Sequence, residues 1–232
     1  MSIRSTALAA AITLSTTACV GVLTALPAVA ATEECGPGCI SVFSSELGTS
    51  ADPGSIEAVL DGGAARVGQP VGLTPASSFD PSQDFLPGGV TEQGLSTVSD
   101  FHADGLVSAE ADRRYGDLPA VQQRYAPEGV DTGLCVGVAR VVQGEDLTLQ
   151  PCDDPTTVWI IYPAVGVAPG LFAVVNAATT DFDRPFAMHL PREEVVSGDP
   201  ELQMQLRRLQ YRTGDGTLPA RQVWGAVFGP QG

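Results

Sequence analysis

The sequence predicts an all-β fold built from three similar lobes. Three short stretches end in an aromatic residue two positions after Gln or Thr, and the pairs are Gln83 and Phe85, Thr157 and Trp159, and Gln222 and Trp224. Strand-like runs that close on proline lie upstream, at residues 68–75, 144–151 and 183–191. No segment has the sustained 3.6-residue periodicity and caps of a long helix, and 18 prolines and 26 glycines suit a chain of many turns. Because one repeat cannot bury its apolar face alone, the three predict a closed threefold β assembly.

Residues 1–30 have the pattern of a secretory signal peptide. Arg4 supplies a positive start, an Ala-, Leu- and Val-rich stretch follows, and Ala28-Val29-Ala30 is typical of a cleavage site. We therefore expect a secreted, extracellular protein that is cut before Ala31. No later stretch is long and apolar enough to span a bilayer, and the remaining chain suffices for one all-β domain.

The charge balance excludes some partners. The chain has 27 acidic residues against 12 basic ones, all of them arginine, and a net charge of −15. Such a surface repels phosphate groups, so nucleic acids and anionic membranes are poor candidates as partners. Acidity by itself selects no ligand.

Four cysteines remain after the predicted signal peptide: Cys35, Cys39, Cys135 and Cys152. An even number in an exported chain indicates disulfides, with three possible connectivities. Local pairing is favoured, because the first two lie close together and the last two flank one repeat. A zinc site is disfavoured, since the distant pair lacks CxxC spacing.

The domain organisation follows from the repeats. Residues 31–55 form a separate N-terminal segment with one plausible strand, near residues 39–43. The β domain covers 56–232, with lobes at about 56–129, 130–168 and 169–229. In lobe one, a run at 56–60 turns at Asp61-Gly62-Gly63 and returns through Val71 and Leu73.

The connection at residues 87–129 is long for a loop without structure of its own. Strands are plausible at 96–101, 106–109 and 121–125, with a loop insertion between the lobes. Lobe two has strands at 134–139, 147–149 and 158–162. Lobe three has them at 171–175 and 186–190, separated by a polar turn at 179–183. Strict alternation at 202–206 favours a strand, although a helix through Leu202, Leu206 and Leu209 remains possible.

These residues resemble the ricin-type β-trefoil, whose lobes carry a Cys-x-x-Val strand, a Gly turn, a second cysteine and a Gln-x-Trp. Lobe two matches best, through Cys135, Gly144, Cys152 and Trp159. The resemblance covers roughly residues 56–229, with two insertions. It implies a β-trefoil with a lectin-like face that binds carbohydrate.

In that family an aspartate on the first strand accepts hydrogen bonds from sugar hydroxyls. The matching positions here hold Ala58, Gly137 and Val174. The predicted ligand-binding residues are therefore Asp61 and Gln83 in lobe one, with Asn176 and Gln222 as a second set. Phe79, Tyr162 and Phe182 are the candidate stacking aromatics. Phe85, Trp159 and Trp224 are expected to fill the core.

No pattern favours an enzyme, a metal or a cofactor. A Gly-x-Ser-x-Gly elbow and a phosphate-binding loop are missing, and the chain has two histidines, His102 and His189. On a strand, Asp100, His102 and Asp104 would project to one side and form a possible cation site. A solvated edge explains them better. The alternative to a lectin is a trefoil that presents the 87–129 and 192–199 loops to an extracellular protein, for example as a protease inhibitor.

Overall fold

The computed structural model describes residues 39–49, 52–58, 64–75, 80–91, 94–163, 168–191, 202–210 and 217–228. The predicted signal peptide, Cys35, Asp61, Phe79 and the 192–199 loop lie outside these residues. The roles predicted for these residues therefore remain predictions.

Each lobe contributes four principal strands. Lobe one consists of β1 (Ile40–Thr49), β2 (Asp52–Ala58), β3 (Val71–Pro75) and β4 (Phe85–Gly88). An insertion follows, with β5 (Val90–Thr91), β6 (Gly94–Leu95), α1 (Val98–Ala103) and α2 (Ala109–Tyr115). Lobe two consists of β7 (Ala120–Tyr125), β8 (Leu134–Val138), β9 (Leu147–Pro151) and β10 (Trp159–Pro163). Lobe three consists of β11 (Leu171–Asn176), β12 (Phe186–His189), β14 (Gln205–Arg208) and β15 (Trp224–Phe228), and the two-residue strand β13 (Leu202–Gln203) precedes β14 and pairs with β3.

A short 3₁₀ helix precedes the fourth strand of every lobe. These helices are Pro81–Gln83, Pro155–Thr157 and Ala220–Gln222, and a further one, Pro127–Gly129, follows β7. The three equivalent helices coincide with the repeated Gln or Thr positions of the sequence. The repeat is therefore one of backbone conformation as well as of residue type.

The first and fourth strands of the lobes form an antiparallel barrel. β4 pairs with β7, β7 with β10, β10 with β11, β11 with β15 and β15 with β1, while β1 lies against β4. The second and third strands form the hairpins β2–β3, β8–β9 and β12–β14. These hairpins meet one another through backbone hydrogen bonds, such as Leu149 to Gln69, Leu147 to Met204 and Met204 to Val71. A barrel with three hairpins that converge is the β-trefoil architecture, so the predicted fold class is confirmed.

The first lobe starts earlier than the sequence repeats indicate. β1 lies inside the segment 31–55, which the sequence analysis set apart from the domain. It pairs with β15 from Ile40 opposite Phe228 to Ser44 opposite Trp224, so it forms part of the barrel. Likewise β7 lies before the predicted boundary at residue 130, yet it is the first strand of lobe two.

The repeated aromatics occupy equivalent buried positions. Phe85, Trp159 and Trp224 each begin the fourth strand of a lobe and are exposed by 2%, 0% and 0%. Trp159 Nε1 donates to Val136 O at 2.7 Å, and Trp224 Nε1 donates to Met188 O at 3.3 Å. Each tryptophan thus bonds to the second strand of its own lobe. Their predicted core role is confirmed.

The strands predicted at 96–101 and 106–109 are wrong: residues 98–103 form α1, and residues 106–108 lead without a strand into α2. Thr97 and Ser108 are helix N-caps whose hydroxyls accept from the amides of Asp100 and Ala111. Each cap satisfies an amide in the first turn of its helix, which favours the helical conformation. The helices bury apolar side chains against the barrel strands, in a second core that includes Phe101 and Tyr115.

Lobe three forms the predicted strands. Residues 202–206 are extended, in β13 and the start of β14, so the helical alternative is wrong there. Met204 and Leu206 are fully buried, whereas Gln203 and Gln205 are half-buried. This alternation is what the period of two predicts.

The predicted Cys135–Cys152 disulfide is present, with the two Cα atoms 5.0 Å apart. It joins the start of β8 to the residue after β9. Cys39 is also disulfide-bonded, and Cys35, its predicted partner, lies outside the described residues. In the described part of the chain, no helix is both long and apolar enough to cross a bilayer.

Candidate functional site

Three of the residues predicted to bind a ligand are buried in the lobe turns. Gln83, Asn176 and Gln222 are exposed by 3%, 0% and 0%. Asn176 Nδ2 donates to Thr156 O at 2.8 Å, and its Oδ1 accepts from the Ala178 amide at 3.1 Å.

Gln222 is held in a similar way. Its Nε2 donates to Arg208 O at 3.0 Å, and its Oε1 accepts from the Gln210 amide at 2.9 Å. Both side-chain amides are thus buried and bonded to backbone within the turns, and the ligand-binding role of Asn176 and Gln222 stays a prediction.

The proposed cation ligands do not share one side of a strand. Asp100 accepts from the Thr97 amide at 2.7 Å and from its hydroxyl at 2.9 Å, as the second half of a capping box. These bonds, the backbone one first, lower the pKa of Asp100. His102 Nδ1 donates to Val107 O at 2.7 Å. Among the described residues, no group of three or more His, Cys, Asp or Glu side chains is placed to hold a metal ion.

An aromatic cluster lies where α2 meets lobes two and three. The ring centroid of Tyr115 is 5.9 Å from that of Tyr162, edge to face, and 5.9 Å from that of Phe182. Tyr115 is buried, whereas Tyr162 and Phe182 are half-buried. The structure thus brings together two of the predicted stacking aromatics, Tyr162 and Phe182. The ring that contacts both, Tyr115, was not predicted to belong to the site.

Different elements position the three rings. Tyr115 ends α2, Tyr162 lies on β10, and Phe182 lies on the turn after β11. Asn176 starts that turn by accepting from Ala178. Asp181 stabilises it further, because it accepts from the Arg184 amide at 3.2 Å and forms an ion pair with Arg208.

The hydroxyl of Tyr115 connects the helix to the turn. It donates to Phe182 O at 3.2 Å. Burial, followed by the neighbouring Tyr162, raises the pKa of Tyr115 to about 12. Its hydroxyl therefore remains a hydrogen-bond donor across the physiological pH range.

Two clefts adjoin the cluster. The larger, of about 540 Å³, is lined by Tyr115, Tyr162 and Pro163. Its polar lining consists of Ser99 from α1 and of Asp112, Arg113, Arg114 and Asp117 from α2 and the turn after it. The smaller, of about 310 Å³, is lined by Thr180, Asp181, Phe182, Asp183 and Arg114. Arg114 lines both, and its guanidinium carbon lies 5.9 Å from the centroid of Phe182.

The larger cleft has the volume of a small-molecule site and a mixed lining of polar and apolar residues. Such sites have volumes of roughly 300–1,000 Å³ and combine apolar walls with a few polar groups. Ser99 Oγ donates to Asp112 Oδ1 at 2.5 Å, and Arg113 forms an ion pair with Glu110. Asp117 is exposed and has no hydrogen bond or ion pair to the described residues. The cleft therefore offers one uncommitted carboxylate next to an aromatic wall.

The sequence contains a signal for this site in the residues of α2. Ser108 precedes a run with Glu110 and Asp112 in the first turn and Arg113 and Arg114 in the last, which is the charge pattern of a capped helix. Recognising that helix would have directed attention to Tyr115 at its end. It would not have paired Tyr115 with Phe182, which lies 67 residues away.

Comparison with known proteins gives similarity in structure alone. No protein-family model matches the chain, and no curated protein matches it. Among solved structures, a designed threefold-symmetric protein, ThreeFoil, is 12% identical with a TM-score of 0.47, over 82% of this chain and 98% of that one. The SDF2-like protein from Arabidopsis thaliana is 10% identical with a TM-score of 0.44, over 82% and 93%. At these values neither similarity supports an argument about function.

Proposed function

We propose that this protein is a secreted, non-enzymatic β-trefoil that binds carbohydrate in the cleft between Tyr115, Tyr162 and Asp117. The observation that carries the proposal is an aromatic wall beside an uncommitted carboxylate in a cleft of about 540 Å³. Export is supported by the signal-peptide pattern and by the disulfide, because disulfides persist in oxidising compartments.

The chemistry of the cleft fits a sugar. The apolar face of a pyranose ring packs on an aromatic ring, and its hydroxyls donate to carboxylates. A charge-assisted bond to Asp117 is worth about twice a neutral one. Affinity for one monosaccharide is expected to be weak, on the order of millimolar, since ordering the ligand offsets much of the contact energy.

Glycan-array binding by the mature protein, followed by titration of the best glycan, tests the proposal. We expect Tyr162→Ala and Asp117→Asn to weaken binding about tenfold or more, because the first removes an aromatic wall and the second removes the charge that strengthens the hydrogen bonds of the carboxylate. Asp117 is exposed, so its replacement tests the cleft with little effect on folding. Circular dichroism and the thermal midpoint verify that the variants are folded.

Asp61→Asn is the matched control, because Asp61 is the acid predicted from the repeats in lobe one. Loss of binding in Asp61→Asn with normal binding in Asp117→Asn would move the site to lobe one. A wild-type protein that retains no glycan would overturn the carbohydrate proposal in favour of a protein partner.

A further inference from the structure

Two buried nitrogen atoms on the hairpin of lobe three have no hydrogen-bond partner. They are His189 Nδ1 on β12 and Arg207 Nε on β14. Buried polar atoms in folded proteins are nearly always bonded, so an unpaired one indicates a missing water, ion or ligand. These two atoms belong to paired strands of one hairpin, β12 and β14.

Both side chains lie on one face of the hairpin. The register places Ala187 opposite Arg207 and His189 opposite Gln205. Opposed residues share a face, and so do residues two apart on one strand. His189, Gln205 and Arg207 therefore project together.

Arg221 adds a second guanidinium at this face. It lies in the 3₁₀ helix Ala220–Gln222, and its Nη1 donates to Leu190 O at 3.3 Å, next to His189. Arg207 Nη2 donates to Gln205 Oε1 at 3.4 Å. Burial first, and then the charges of Arg207 and Arg221, lower the pKa of His189 to about 4.

The positive charge here contrasts with the rest of the chain. Ion pairs in which both partners are described residues involve Arg113, Arg114, Arg124, Arg140 and Arg208. Arg207 is not among them, although the sequence holds 27 acidic residues. A guanidinium that neighbours a second one and has no carboxylate partner among the residues that the structure describes is suited to bind an anion.

We propose that His189, Arg207 and Arg221 form a binding site for an oxyanion, the carboxylate or phosphate group of a ligand. The planar guanidinium fork matches both groups, and the unpaired Arg207 Nε and His189 Nδ1 are the donors that would complete the contact. This site is separate from the aromatic cleft and does not depend on the proposed carbohydrate function.

The two histidines of the chain allow a direct test. The imidazole resonances of His189 and His102 are followed by NMR during titration with inorganic phosphate and, separately, with acetate, at pH 7 and constant ionic strength. We expect a saturable shift at His189 and none at His102, whose Nδ1 is already bonded to Val107 O. The anion that produces a saturable shift of the His189 resonance shows whether the ligand group is a phosphate or a carboxylate.

Arg207→Gln should lower the affinity for the anion about tenfold or more, because it removes a charge-assisted bidentate contact. Arg140→Gln, which breaks an exposed ion pair with Glu145 in lobe two, is the matched control and should bind like the wild type. If Arg207→Gln does not fold, the wild-type pKa of His189 replaces it as the readout. A bound anion should raise that pKa by about one unit or more relative to chloride buffer.

Equal shifts at both histidines, or no saturation with either anion, would overturn the proposal and leave an ordered water as the partner of the two nitrogens. Unchanged affinity in folded Arg207→Gln would also overturn it. Failure of the anion site leaves the carbohydrate proposal untouched, because Arg207 does not line the aromatic cleft.

Discussion

At the scale of single residues, His189 shows how surroundings set protonation. Its imidazole is half-buried on β12 and lies near two arginines. Burial and like charge both disfavour the imidazolium, so the pKa falls from 6.5 to about 4. His102, which is bonded to a backbone carbonyl in the insertion, is a useful reference within the same chain.

This shift predicts a specific acid sensitivity. In the native state His189 is neutral above pH 4, whereas in the unfolded chain it takes up a proton below pH 6.5. Its contribution to stability is therefore full above pH 6.5 and is lost as the pH falls towards 4. The wild type should lose more stability than His189→Gln over that window, in urea unfolding measured in chloride buffer. Parallel losses in the two proteins would contradict the lowered pKa.

At the scale of elements, two of the 3₁₀ helices carry the same cap. Asp80 Oδ1 accepts from the Ser82 amide at 3.0 Å, and Asp154 Oδ1 accepts from the Thr156 amide at 2.8 Å. Each aspartate also accepts the hydroxyl of the same Ser or Thr. In lobe three Pro219 occupies the cap position without a side-chain bond. The repeat in lobes one and two is therefore an Asp-Pro-Ser/Thr turn. It positions the core aromatic residue at the start of the fourth strand.

Replacing the cap should have a measurable and similar cost in both lobes. Asp80→Ala and Asp154→Ala are each expected to lower the free energy of unfolding by about 1 kcal/mol, since each leaves a turn amide without its acceptor. Asp153→Ala is the control, because Asp153 is the exposed neighbour of Asp154. Chemical denaturation measures all three. A cost for Asp153→Ala equal to that of Asp154→Ala would show that loss of charge, and not loss of the cap, is responsible.

At the scale of the whole molecule, the three lobes share one core. Phe85, Trp159 and Trp224 belong to a single buried cluster that includes residues of all three lobes. The barrel is complete only when β15, at the end of the chain, pairs with β1. No lobe can therefore bury its aromatic residue without the other two.

Each aromatic should accordingly affect the stability of the entire domain. Phe85→Ala, Trp159→Ala and Trp224→Ala are expected to cost roughly 3–5 kcal/mol each, as losses of large buried side chains do. Unfolding should remain a single transition in every variant, followed by far-ultraviolet circular dichroism in guanidinium. Val130→Ala is the control, since Val130 is 67% exposed. A separate transition for one lobe would contradict a shared core.

The sequence by itself determined the features that are local or repeated. Alternation of apolar residues identified most strands, and the spacing of Cys135 and Cys152 across one hairpin indicated their disulfide. The recurrence of Gln or Thr before an aromatic marked the three equivalent turns. Each of these depends on residues that are close in the chain, so a short window of sequence contains the physical cause.

Only the tertiary structure decided which residues line the aromatic cleft. Asn176 and Gln222 are polar residues at lobe positions suited to a sugar, yet folding buries them against backbone partners. Tyr115, Tyr162 and Phe182 are distant in sequence and meet because α2 packs across two lobes. β1 likewise belongs to the barrel because of its pairing with β15, 180 residues away. Such contacts depend on how the whole chain closes, and no local pattern specifies that closure.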